Sequence, residues 1–141
     1  MPNTLSLLRL LFDFGMLVLI WLVQVIIYPS FRYYSKRNLK RWHKKYMQVS
    51  AILIAPQMLG QLIITVLQCY DDQNSYTTMS LIILIILWAH TFYQFVPLHN
   101  AIKTAEKTSE ITLKLVNYNW WRTILWSMLF VYSYITLVVS G

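Results

Sequence analysis

Residues 47–69 read MQVSAILIAPQMLGQLIITVLQC, a run without a single formal charge. A helix rises about 1.5 Å per residue and the hydrocarbon layer of a bilayer is about 30 Å thick, so about 20 mostly apolar residues suffice to cross it. Met47–Cys69 meets that requirement. Three more windows do so on either side of it: Leu5–Tyr28, interrupted by Arg9, Asp13 and Gln24; Met79–Val96, which stops at Pro97; and Trp120–Val139, with Arg122 near its start. The sequence therefore predicts one all-α membrane domain over residues 1–141, an antiparallel bundle of four transmembrane helices.

Composition agrees with that reading. Hydrophobic residues make up 57% of the chain and charged residues 12%, against about 25% charged in soluble domains. Too little charge remains to clothe a soluble globule of this size. The single cysteine, Cys69, excludes a disulfide scaffold, and the apolar content excludes disorder. A net charge of +7 would suit nucleic acid, but 11 of the 12 Lys and Arg residues lie in segments 32–45 and 103–122, beside the apolar windows. That placement sets topology rather than reading a groove, so nucleic acid is not an expected partner. By the positive-inside rule both basic segments face the cytoplasm and both termini lie outside, as in a multi-pass protein of the cytoplasmic (inner) membrane. The N-terminus has no basic n-region or small-residue cleavage site, so the first helix is expected to be retained.

Within the first basic segment, Lys36, Arg37, Lys40, Arg41, Lys44 and Lys45 recur every four residues and share one helical face. Leu39, Trp42, His43 and Tyr46 take the other. This predicts a basic interfacial helix that runs into the second span, its lysines toward anionic headgroups; a solvated loop that only sets topology is the alternative. Arg9 and Asp13 are four apart, the spacing of a helical ion pair, which is expected at the outer boundary ahead of any role inside the bundle.

Polar residues inside spans carry the functional signal, because lipid offers them no partner. At about 100° per residue, the second helix aligns His43, Tyr46, Ser50, Gln57, Gln61 and Gln68. The first aligns Asp13, Gln24 and Tyr28, the third His90 and Gln94, and the fourth Asn119, Thr123, Trp126 and Ser133 with Arg122 at the edge. Hydrogen bonding between helices explains such stripes in part, most simply for Gln57, Gln61 and Gln68. Given the topology, however, Gln24, Tyr28, His43, Gln94, His99, Asn119 and Arg122 all reach the inner leaflet from different helices. There His99 is a candidate proton carrier or ligand, Arg122 an anion or headgroup contact, and Gln24 and Asn119 orienting hydrogen bonds. Trp120 and Trp126 would supply apolar walls.

No haem-attachment, zinc-hydrolase or di-iron motif occurs. Depth along the helices argues against one metal on His43, His90 and His99 together. A metal on His43 and His99, completed by a carboxylate or water, stays open, as does haem on His90. Glycine-rich phosphate loops and a GxSxG nucleophile are missing.

The order and spacing of Ile20-Trp21-Leu22-Val23-Gln24-Val25, Tyr28-Pro29 with Phe31, Ala55-Pro56 with Met58, Val96-Pro97-Leu98-His99 and Asn119-Trp120 with Arg122-Thr123 and Trp126 resemble a group of small four-span bacterial inner-membrane proteins. That group is more distantly similar to the anthrone-oxygenase-like membrane proteins. The resemblance implies oxidation of a lipid-soluble aromatic or quinone-like molecule. The catalytic candidates are Tyr28, His99 and Arg122, with Gln24, Gln57, Gln94, Asn119, Trp120 and Trp126 expected around the ligand, although Phe95 stands where that group has a polar residue, one position after Gln94. A non-catalytic subunit, a lipid-binding module or a scaffold for a membrane partner or homo-oligomer is the alternative.

Overall fold

The computed structural model describes residues 3–140. They form four long helices: α1 over Thr4–Tyr33, α2 over Lys36–Asp71, α3 over Ser75–Ala101 and α4 over Thr108–Val139. Each is long and apolar enough to cross a membrane. Short polar links connect them, and local side chains cap three of the helix starts. Ser6 N–H donates to Asn3 Oδ1 at 2.9 Å and Asn38 N–H to Ser35 Oγ at 3.3 Å. Asn74 and Thr77 form a reciprocal capping box at the start of α3.

α1 packs against α2 and α4, and α3 closes the bundle by packing against the same two helices. Close approach of α1 and α2 depends on two glycines. A Cβ on Gly15 would run into the amide of Gln57, and one on Gly60 into the ring of Phe12.

The bundle is polar inside and apolar outside. Arg9, Asp13, Gln61, Thr65, Asn119, Thr123 and Ser133 are fully buried, whereas Leu11 is 66% and Ile52 73% exposed. Water as the surrounding solvent would favour the opposite arrangement; hydrocarbon favours this one. Two apolar clusters fill the spaces between polar side chains. Met16, Ile20, Met58, Leu84, Leu87, Trp126 and Leu129 pack mid-bundle, and Val23, Tyr28, Phe31, Leu39, Phe95, Ile102 and Leu115 pack toward the basic end.

The helices outrun the apolar windows. At about 1.5 Å per residue, α2 is about 54 Å long, so its basic first turns continue the span rather than forming a separate element. α4 likewise starts at Thr108, because Thr108, Thr112 and Leu115 bury one face of what the sequence left as a connection. On the basic stretch Leu39 and His43 turn inward as expected. Trp42 does not: it is 41% exposed, since a residue one step from His43 points about 100° away from it.

Three of the helices are locally widened, α4 at its last turn over Ile135–Val139. A π-turn occupies Val23–Ile27 in α1, just before Tyr28-Pro29, and another occupies Thr91–Phe95 in α3, just before Val96-Pro97. Tyr28 N–H bonds to Val23 O and Val96 N–H to Thr91 O, five residues back instead of four. In these two a proline follows, which has no N–H and whose ring crowds the carbonyl four residues earlier. An extra residue in the preceding turn relieves that crowding. The turn in α4 has no proline after it.

Candidate functional site

The buried polar side chains form two groups. The first lies toward the end that carries Asp71 and Asp72. Arg9 Nε donates to both oxygens of Asp13, at 3.1 and 2.9 Å, and both side chains are fully buried. Gln61 donates to Asp13 Oδ1 at 2.7 Å, and Ser133 donates to its Oδ2. Arg9 Nη1 donates to Gln68 Oε1 at 3.1 Å, and Gln68 in turn donates to Ser6. The guanidinium lies 4.9 Å from the centre of the Tyr76 ring. The Arg9–Asp13 pair thus forms as the spacing predicts, but inside the bundle, where it links α1, α2, α3 and α4. Its complete burial gives it a role inside the bundle, at the same end where the sequence reading put it.

The second group lies at the basic end and collects most of the sequence-derived candidates. Gln24 donates to the Val116 carbonyl at 3.1 Å; its Oε1 accepts from Asn119 at 2.9 Å and from Thr123 at 3.0 Å. Arg122 Nη1 donates to Asn119 Oδ1 at 3.3 Å. The Arg122 guanidinium stands 4.3 Å from the Phe95 ring centre and 5.1 Å from that of Trp126. Beside it, His43 Nε2 and His99 Nδ1 share a hydrogen bond at 2.8 Å, and His99 Nε2 and Tyr28 Oη share one at 2.9 Å. Tyr28, His43 and His99 are all buried.

A cavity of about 210 Å³ adjoins this group. Tyr28, Tyr46, Ser50, His99 and Arg122 give it polar walls, and Met47, Ile54, Met58 and Phe95 apolar ones. Ala51, Ala55 and Val96, which also line it, are exposed, so it opens sideways between α2 and α3 toward the surrounding lipid. Small side chains on α2 and the widened turn of α3 leave this gap.

Arg122 is the unusual member. Its side chain is 7% exposed, its Nε is buried without a hydrogen-bond partner, and the only ion pair among the described residues is Arg9–Asp13. Two aromatic faces and one amide oxygen stabilise the cation, at about 0.5–2 kcal/mol per aromatic contact, and no carboxylate neutralises it.

The remaining candidates are placed elsewhere. Gln57 donates to the Phe12 carbonyl at 3.2 Å and joins α1 to α2. Trp120 is 43% exposed and stacks edge-on against Trp21 at 5.9 Å, on the outer surface. Trp126 is fully buried, and its indole N–H donates to Gln61 Oε1 at 3.0 Å, so it stands between the two polar groups. His90 and Gln94 lie on one face as expected, their side chains within reach of each other. Phe95, five residues on, stacks edge-on against His90 at 5.3 Å.

Phe95, which packs on Arg122, carried no signal in the sequence, because it enters the site only through the widened turn. The basic groove beyond His43 was also missed. Lys40, His43, Lys44, Ile102 and Lys103 line it, with a volume of about 400 Å³; their approach depends on the link after α3.

As a metal site the histidines fit poorly. Both nitrogens of His99 and one of His43 are already hydrogen-bonded, and no three His, Cys, Asp or Glu side chains cluster among the described residues. His90 lines neither the cavity nor the groove. Comparison with protein-family models, curated proteins and solved structures finds no match to this chain.

Proposed function

We propose that this multi-pass membrane protein binds the compact anionic head group, a carboxylate or phosphate, of a lipid-soluble molecule that enters sideways between α2 and α3. One observation carries the reading: a buried arginine with a free donor and no counter-ion, in the wall of a lipid-facing cavity. An uncompensated charge in a bilayer is costly and marks a ligand path. A head group on Arg122 would neutralise the charge, with Ser50 and Tyr46 in the same wall for its other oxygens. At about 210 Å³ the cavity is smaller than the roughly 300–1,000 Å³ of sites that enclose drug-sized ligands. It suits a head and the start of an apolar body whose tail stays in the lipid.

The basic end, with this site, is proposed to face the cytoplasm, because Lys and Arg concentrate in the two segments there. Oxygenase-like turnover, which the sequence resemblance implies, is not required for binding. The hydrogen-bonded state of His99 favours proton handling over metal ligation.

The test is equilibrium binding of dodecyl phosphate to the protein in lipid nanodiscs, with dodecyltrimethylammonium as the cationic control. Charge-assisted hydrogen bonds contribute about 1.5–3 kcal/mol, so Arg122→Gln is expected to weaken dodecyl phosphate binding about tenfold or more. Equal binding of both probes, or no effect of Arg122→Gln, would overturn the proposal.

A further inference from the structure

The hydrogen-bonded row His43–His99–Tyr28 has a feature that head-group binding does not use. Its two ends open into different surroundings. His43 is part of the wall of the groove that Lys40, Lys44 and Lys103 surround. Tyr28 and His99 are part of the wall of the lipid-facing cavity, on the other side of the same row. Tyr28 also borders an internal cavity of about 40 Å³ that it shares with Tyr46 and Arg122, room enough for a water molecule with polar partners. Apolar side chains (Phe31, Leu39, Ile102 and Leu115) are packed around the row, so the three side chains offer the polar route through that layer.

We propose that His43, His99 and Tyr28 form a proton relay between the basic groove and the lipid-facing cavity. A neutral imidazole carries a proton on one nitrogen and accepts on the other, and the contacts at 2.8 and 2.9 Å admit two alignments of the row. In one, His43 Nε2–H donates to His99 Nδ1, His99 Nε2–H donates to Tyr28 Oη, and the Tyr28 hydroxyl points its proton onward. In the other, every donor is reversed.

A proton from water in the groove adds to His43 Nδ1. His43 then gives up its Nε2 proton to His99 Nδ1, and His99 gives up its Nε2 proton to Tyr28 Oη. The tyrosine releases its own proton to the acceptor in the cavity. One proton enters, one leaves, and both imidazoles end in the other tautomer. The reverse sequence returns a proton to the groove and restores the starting state without a ring flip.

The charged and titratable groups around the row come from every neighbouring element. Lys40 and Lys44 of α2 and Lys103 after α3 stand at the groove end, and Tyr46 of α2 and Arg122 of α4 at the cavity end. All the charged ones are cations. None of these side chains is a carboxylate that would hold a proton on its way along the row. The acceptor is the anionic head group proposed above, and to that extent the relay rests on that reading. Protonation would neutralise the head, weaken its hold on Arg122 and release the molecule to the bilayer.

The relay can be tested without any ligand, by nitrogen-15 NMR of the full chain labelled at histidine in nanodiscs. Wild-type protein should show scalar coupling across the N–H···N bond between His43 Nε2 and His99 Nδ1. The His99 ring proton should exchange with water, and His43→Phe should slow that exchange tenfold or more. His43→Gln, which keeps a hydrogen-bonding side chain but cannot pass a proton between two ring nitrogens, should slow it equally, and serves if the phenylalanine variant does not fold. Absent coupling in the wild type, or an unchanged rate in a folded His43 variant, would overturn the relay. Neither measurement involves dodecyl phosphate, so the relay can fail while head-group binding holds, and the reverse.

Discussion

Asp13 shows at the level of single residues what the polar interior requires. Its carboxylate accepts from Arg9, Gln61 and Ser133, so every helix near it depends on its charge. Removing one member of a buried pair leaves the other uncompensated, at about 3–5 kcal/mol, whereas replacing both by apolar side chains of similar volume costs much less. Asp13→Ala is therefore expected to lower thermal stability in detergent far more than the double replacement Arg9→Met with Asp13→Leu. A single variant as stable as the double one would show that the pair is not buried as described. Gln24 acts on a smaller scale. Gln24→Met removes two interhelical acceptor contacts and one donor contact, and hydrogen bonds between membrane helices contribute about 0.6–2 kcal/mol each. A loss of about 1–3 kcal/mol in equilibrium unfolding is expected. Both residues were legible in the sequence as polar positions inside apolar windows, because lipid leaves such residues no other partner. The burial of Arg9 was not, since a four-residue spacing satisfies a surface pair and a core pair alike.

At the scale of the element, the two π-turns that precede prolines leave the helical periodicity of the polar stripes intact. Asp13 and Gln24 fall on the buried face as α-helical spacing requires, because the α1 turn begins only at Val23. In α3 the turn begins at Thr91; Gln94 stays beside His90, and Phe95 is brought against the same ring. Proline is the legible cue, yet it does not reveal whether a helix answers by kinking, ending or widening. Pro97→Ala removes the crowding, and the helix is then free to drop the extra residue. A one-residue shift rotates the C-terminal end of α3 by about 100° and carries His99 away from Tyr28. Circular dichroism should stay that of a helical protein while the His43–His99 coupling is lost. Retention of that coupling in Pro97→Ala would mean that tertiary packing, not the proline, holds the turn.

For the whole molecule, the four spans were legible because length and hydropathy suffice to define them, and the helix ends were not because basic turns extend past the apolar windows. The asymmetry of charge makes a further prediction about orientation. In a Cys69→Ser background, Gln73→Cys in the link between α2 and α3 should react with a membrane-impermeant thiol reagent on intact cells, and Arg37→Cys only after lysis. The reverse pattern would place the basic end outside. Convergence of Tyr28, His43, His99, Asn119 and Arg122 from four helices was legible as shared depth. The cavity itself was not, since Ala51, Ala55 and the α3 turn create it by what they leave unfilled. Its use is best tested by photo-crosslinking with an alkyl phosphate that carries a diazirine near its head, followed by peptide mapping. Labelling within residues 47–58 of α2 and 91–96 of α3, abolished by Arg122→Gln, is the predicted result. Labelling that falls instead on the outer groove around Trp21, Trp120 and Met128, unchanged by Arg122→Gln, would contradict it.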